Sequence, residues 1–209
     1  ATSQNPQVAG LMGIDINRVI AFTFVIGAAL GAVAGVMVGS YYGIAHYQMG
    51  ALLGLKAFSA AGGRLVDSSP MYGAAESVVG ELAAELRLRD KLFMATKVWT
   101  HGRDQGVRQI EESLRRMRVE RMDLMQIHNL ADVETHTRTL KDMKAAERVR
   151  YMGITHYSAS AYGEIERLLK TRAYDFLQIN YSLGEREAET RLLPLARDLK
   201  VAVIANRPF

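Results

Sequence analysis

Three titratable residues of different kinds, Asp67, Lys97 and His128, are spaced by about 30 residues, and Thr155 and Asn180 continue the series. A carboxylate, an amine and an imidazole gathered in one place would make a proton-handling site, because each can hold or release a proton at a pKa its surroundings set. Taken singly, each has a plainer explanation: Asp67 as a helix cap, Lys97 as a surface charge, His128 as a histidine satisfied within a core. Their recurrence carries more weight, since each stands at or just past the end of a short apolar run.

Those runs are the elements that must position them. Residues 64–67, 92–97, 123–127, 150–154, 175–180 and 201–205 read as strands, with starts about 25 to 31 residues apart, the length of one strand, one helix and two short loops. Between them, 76–87, 107–118, 134–147, 159–170 and 185–199 read as amphipathic helices with an apolar stripe and a charged face. Ile110, Leu114 and Met117 fall at helical spacing and are read as packing. Repeated βα units predict an α/β fold with parallel strands and right-handed crossovers, and periodicity alone leaves an open doubly wound sheet and a barrel both standing. In either, a site forms at the carboxyl ends of the strands, where the polar residues cluster.

The local motifs go further. Asp67-Ser68-Ser69-Pro70-Met71-Tyr72-Gly73, Ala95-Thr96-Lys97-Val98-Trp99 and Leu124-Met125-Gln126-Ile127-His128-Asn129, supported by Gly153-Ile154-Thr155-His156-Tyr157 and Leu177-Gln178-Ile179-Asn180-Tyr181, resemble the aldo/keto reductase family over about residues 57–209. The resemblance implies a (β/α)8 TIM barrel and reduction of an aldehyde or ketone by a nicotinamide cofactor, usually NADPH, with NADH the other donor. It places a catalytic tetrad on Asp67, Tyr72, Lys97 and His128. Tyr72 is then the acid that protonates the carbonyl oxygen, Lys97 the cation expected to lower the tyrosine pKa, Asp67 the partner that keeps Lys97 protonated, and His128 the group that orients the carbonyl. Trp99 is expected to wall the substrate pocket. Thr155, His156 and Gln178 are expected to meet the nicotinamide carboxamide. Where the family often carries a stacking aromatic after the seventh strand, this sequence has Asn206, so a contact to the ring is expected from Arg207 or Phe209 instead.

Against the eight strands the resemblance implies, the second to the seventh are identified, making an incomplete barrel over residues 59–209. An eighth strand and a basic loop for the NADPH phosphate would lie past Phe209. The expectation is weak NADPH binding and poor turnover from these residues alone, with exposed sheet edges near Arg64 and Val201.

The first 58 residues are a different material. The chain holds 26 lysines and arginines against 22 aspartates and glutamates, yet only Asp15, Arg18 and Lys56 fall in its first 56 residues. Residues 19–43 are uncharged and long enough to cross a membrane, which predicts a hydrophobic transmembrane-type helix and a membrane association. Gly27, Gly31, Gly35 and Gly39 recur every four residues, a ridge expected to admit a partner helix. Ala1-Thr2-Ser3-Gln4, Leu11-Met12-Gly13-Ile14, Asn17-Arg18-Val19-Ile20 and Phe24-Val25-Ile26-Gly27-Ala28-Ala29 resemble the permease subunits of branched-chain amino acid ABC transporters over about residues 1–58. One such helix makes no transport pathway alone. Both resemblances run through residues 56–61, so the sequence reads as a chimeric fragment, with membrane transport as the alternative function and the reductase part as passenger.

The net charge of +4 does not point to nucleic acid, because basic residues alternate with acidic ones, as in Glu111-Glu112-Ser113-Leu114-Arg115-Arg116. The absence of cysteine excludes disulfides, cysteine metal sites and a thiol nucleophile. The partner expected is a small carbonyl compound, no metal is called for, and the reductase part is expected in the cytoplasm.

Overall fold

A computed structural model describes residues 15–42 and 49–207, and the chain divides into two compact units, Ala1–Gly54 and Leu55–Phe209. In the first unit, helix α1 (Ile16–Tyr42) opens at Asp15, whose carboxylate accepts the backbone N–H of Arg18 at 3.1 Å and so satisfies one of the donors a helix start leaves free. Its stretch Ile16–Met37 has a mean hydropathy of 2.3 and matches the thickness of a bilayer core. Phe22, Phe24, Leu30 and Val36 are all exposed, so the helix is apolar on every side rather than along one stripe. Among the described residues, outside the helix's own backbone, nothing lies within 4 Å of where a Cβ would project from Gly27, Gly31 or Gly35. The surroundings of Gly39, and the permease-like motifs at 1–4 and 11–14, fall outside the described residues. Helix α2 (Met49–Ala60) contains the division between the two units.

The second unit is a six-stranded parallel sheet whose strands neighbour one another in chain order: β1 (Leu65–Asp67), β2 (Phe93–Val98), β3 (Met122–His128), β4 (Val149–His156), β5 (Phe176–Asn180) and β6 (Ala202–Asn206). All six match the strands read from sequence to within a residue or two. A doubly wound sheet reverses its order at a switch point; this one never does, which is the barrel arrangement. The curl is visible in side-chain reach. Asp67 on β1 and Gln178 on β5 are bonded at 2.9 Å, although four strand spacings in a flat sheet would separate their backbones by roughly 19 Å. The sheet is therefore a half-barrel, and among the described residues β1 and β6 each pair with one strand only.

Between the strands run α3 (Ala75–Glu85), α4 (Arg103–Arg116), α5 (Val133–Ala145), α6 (Tyr162–Lys170) and α7 (Leu192–Leu199). The last was expected from 185. Pro194 explains the difference: it lies in the first turn of α7, where its missing N–H would be free anyway, but further inside a longer helix it would break a bond and clash with the preceding turn. Residues 181–191 instead carry a single 3₁₀ turn at Glu187–Glu189, braced by Tyr181 Oη donating to Glu189 at 2.6 Å and Asn180 Nδ2 to Glu185 at 2.8 Å.

Alternate strand residues face opposite ways. One set, including Met94, Met125, Ile127, Met152, Ile154, Leu177 and Ile179, is buried under the helices against Ile110, Leu114, Leu140, Ile165 and Leu192. The other set lines the inside of the curl. At its amino end Phe93, Tyr151 and Phe176 pack ring to ring with centroids 5.5 to 6.1 Å apart. Above them, toward the carboxyl ends, the inner face turns polar.

Candidate active site

Asp67, the last residue of β1, is the hub of that polar layer. Lys97 Nζ donates to Asp67 Oδ2 at 2.6 Å and to the Ser68 carbonyl at 2.7 Å. Gln126 Nε2 donates to Asp67 Oδ1 at 3.1 Å and to Gln178 Oε1 at 2.9 Å, while Gln178 Nε2 returns to Asp67 Oδ2. Register explains the convergence: Lys97 lies opposite Gln126 across β2 and β3, and both point into the curl. Lys97 is only 2% exposed. Burial pushes its pKa down; the Asp67 carboxylate opposes that, with a smaller upward push from Glu76.

Tyr72 stands on the turn that follows β1. Its N–H bonds the Ser69 carbonyl at 3.0 Å, and Gly73 takes a φ of +59°, a left-handed conformation that glycine adopts without steric penalty. The turn presents the phenol to the inner face, where Lys97 Nζ lies 5.5 Å from the ring centroid and the His128 ring stands edge-on at 6.4 Å. The expected lowering of the tyrosine pKa is not found. Partial burial and then the charge of Asp67, which is bonded to Lys97, hold it above its ordinary value.

His128 ends β3 with Nδ1 3.4 Å from the Ser69 hydroxyl, and its pKa is lowered, first by burial and next by the Lys97 ammonium. The imidazole is thus the neutral form at pH 7. These groups border a cavity of about 310 Å³ lined by Tyr72, Lys97, His128, Asn129, Thr155, Tyr157, Asn206 and Arg207.

Of the residues expected to hold a cofactor, Thr155 and Asn206 line this cavity, while His156 and Gln178 do not. Gln178 is turned into the Asp67 hub, and His156 accepts the Ser158 N–H at 3.0 Å with its ring stacked on Tyr157. Trp99 is half exposed with its ring centroid 6.3 Å from that of His128, beside the cavity but not lining it. Arg207 reaches the cavity wall; Phe209 lies outside the described residues. The sequence reading missed Gln126, Asn129 and Tyr157. Gln126 carried a signal, a polar residue two positions before His128 and so on the same face of an otherwise apolar strand.

A half-barrel with its ionised pair, phenol and imidazole gathered at the carboxyl ends of parallel strands has the make-up of a (β/α)-barrel enzyme with an acid–base site. Comparison narrows the class. The aldo/keto reductase family matches residues 47–209, most of the chain, and the chain belongs to that family. The branched-chain amino acid transport system permease component family matches residues 1–65. Among characterised proteins, the aldo-keto reductase YhdN of Bacillus subtilis is 28% identical over 155 residues, 67% of this chain and 46% of that protein. The permease protein LivH of Escherichia coli K12 is 51% identical over 61 residues, 29% of this chain and 20% of that one. A crystal structure of an aldo/keto reductase from Klebsiella pneumoniae in complex with NADP and acetate superposes with a TM-score of 0.65 at 26% identity, covering 74% of this chain and 56% of the other. The chain thus spans about half the length of the reductases it matches.

Proposed function

We propose that the inner-face site reduces an aldehyde or ketone to an alcohol with a nicotinamide dinucleotide, NADPH or NADH, as hydride donor. The observation that carries this reading is the convergence of Tyr72, the Lys97–Asp67 pair and His128 on one cavity. The residues present suit a dinucleotide. Thr155 makes no side-chain hydrogen bond among the described residues, and with Asn206 and the Arg207 cation it offers the cavity a hydroxyl, an amide and a positive charge. Thr155 and Asn206 would hold the cofactor with His156 and Gln178 behind them, and when bound it supplies the hydride that reaches the carbonyl carbon.

The protein's own residues handle the proton. As negative charge develops on the carbonyl oxygen, Tyr72 Oη donates its proton there and the alcohol forms. The Lys97 ammonium, 5.5 Å from the phenol ring, faces the resulting phenolate and is already bonded to Asp67 and the Ser68 carbonyl, so it does not have to reorganise, while the Asp67 carboxylate offsets part of its attraction. Tyr72, with its pKa above the ordinary value near 10, carries its proton at neutral pH. Neutral His128, with Nδ1 facing Ser69, has Nε2 free to hydrogen-bond the substrate oxygen.

The test follows NADPH oxidation with a panel of small aldehydes and ketones, beside NADPH titration by quenching of Trp99 emission. Tyr72→Phe is expected to lower turnover by roughly a hundred- to ten-thousandfold with an unchanged melting curve. Full activity in that variant would remove Tyr72 from the role.

For the N-terminal unit we infer insertion into a membrane through α1, with the C-terminal unit in the cytoplasm. The apolar surface around the whole circumference of α1 supports this. Resistance of the full chain to carbonate extraction is the expected result; release into the supernatant would contradict it. A transport function would need further helices, since a single span lines no pathway.

A further inference from the structure

Glu76 is the charged group that this chemistry leaves unused, and it has no solvent exposure at all. It lies in the first turn of α3, accepts the Thr96 hydroxyl at 2.6 Å, and has Arg116 Nη1 3.6 Å from Oε2, an oxygen with no hydrogen-bond partner among the described residues. A carboxylate buried in this way is a poor means of fastening a helix to a sheet, because well-packed apolar residues do that as well or better. Its position suggests another use. Thr96 immediately precedes Lys97 on β2 and points to the opposite face, toward the helices. Glu76 follows Tyr72 by four residues, at the point where the tyrosine turn becomes α3. The Glu76–Thr96 bond therefore clamps the segment carrying the proton donor to the strand carrying its cation. The clamp is tightened by Gly80, one turn further along α3: an added Cβ there would run into the backbone of Arg116 and Met117, so α3 lies directly against the end of α4 that supplies Arg116.

We propose that Glu76 is a positioning residue for the reductase site, holding Tyr72 and Lys97 at their working separation through Thr96. This rests on Tyr72 being the acid. The negative charge of Glu76 also favours protonated Lys97 from the helix side, as Asp67 does from the inner side.

The test uses the full chain with Glu76→Gln, Glu76→Ala, Thr96→Ser, Thr96→Val and the Glu76→Ala/Thr96→Val pair. It measures kcat and KM for NADPH-dependent aldehyde reduction, and the emission of Trp99, the sole tryptophan, two residues beyond Lys97. Gln can still accept from Thr96, and Ser can still donate, so both conservative variants keep kcat and emission. Glu76→Ala and Thr96→Val are expected to lower kcat roughly ten- to a hundredfold, because small misplacements near the chemistry are amplified, with KM within about twofold and a shifted Trp99 emission. The double variant is no worse than the worse single, since both remove one bond. Folded Thr96→Val with wild-type kcat and emission overturns the proposal, as do additive losses. If Glu76→Ala fails to fold, Thr96→Val, which keeps the side chain's shape, decides. If the unsubstituted chain reduces nothing, the activity reading fails by itself; Trp99 emission in Thr96→Val still decides for or against the clamp.

Discussion

Along β2 and β3 the residues of one face, Met94, Val98, Met125 and Ile127, are dry and interchangeable in kind, while those of the other, Lys97, Gln126 and His128, are each bonded or stacked to a named partner. Both sets occupy the same strands, one residue apart. The helix-facing side needs only apolar volume at native density, so its energy is spread over many contacts. The inner side needs particular atoms at particular distances, and its Lys97–Asp67 pair adds little net stability for the desolvation it demands. Stability and chemistry are thus assigned to opposite faces of one sheet, and Glu76 with Thr96 is where a polar bond on the packing side serves the other.

Lys97→Met tests the division most severely. It removes the cation facing the phenolate but leaves Asp67 with the Gln126 and Gln178 amides, so the fold should survive. Turnover is expected to fall by roughly a hundred- to a thousandfold, the usual loss when one preorganised charge or donor is removed. Steady-state kinetics with a melting curve read both at once, and a collapse of the fold with no specific rate effect would erase the distinction between the faces.

The opposite control is Ile127→Val, one residue before His128 and fully buried beneath the helices. Losing a methylene there costs about 0.5–1.5 kcal/mol, visible in urea or thermal unfolding, with kcat unchanged while the protein is folded. A change in kcat comparable to that of an inner-face variant would show that packing errors on one side reach the site on the other.

The same division explains what could be read from the residues alone. The helix-facing apolar runs repeat at a βα period, so all six strands and most helices were recoverable, and Pro194 was an overlooked signal for where α7 begins. That Asp67, Tyr72, Lys97 and His128 lie together was legible because short motifs mark them. Their electrostatics were not. The Asp67–Lys97 pair was expected, but not its net effect on Tyr72: burial and then the Asp67 charge raise the phenol pKa where the cation was expected to lower it. Periodicity alone fitted open sheets and barrels alike; the family motifs implied the barrel, and the chain-order strands with the Asp67–Gln178 bond bear that out. The first unit was legible for the opposite reason: α1 has no face to assign, and length with uniform apolarity suffices.

The smallest effect expected is in pH. Burial and then Lys97 lower the His128 pKa, opposed by Asp67 and joined by a smaller lowering from His156, so the folded chain takes up this proton less readily than the unfolded chain, whose histidine titrates near 6.5. Between the lowered value and about 6.5 the unfolded state binds more protons, stability rises with pH across that window, and it is lost as pH falls below about 6.5. Tyr72 acts at the other end, where its raised pKa makes the folded state lose stability as pH climbs past about 10. Thermal midpoints at pH 7.5 and 5.5 separate the contributions: the unsubstituted chain should lose more on acidification than His128→Asn, which keeps an amide at the site but nothing to titrate. Ile127→Val should keep the unsubstituted pH slope while melting lower at both values, because its neighbours are apolar. Equal slopes for the chain and His128→Asn would mean that His128 is as well solvated folded as unfolded, and the inner face would then lack the dry, preorganised character on which the proposed proton transfer from Tyr72 depends.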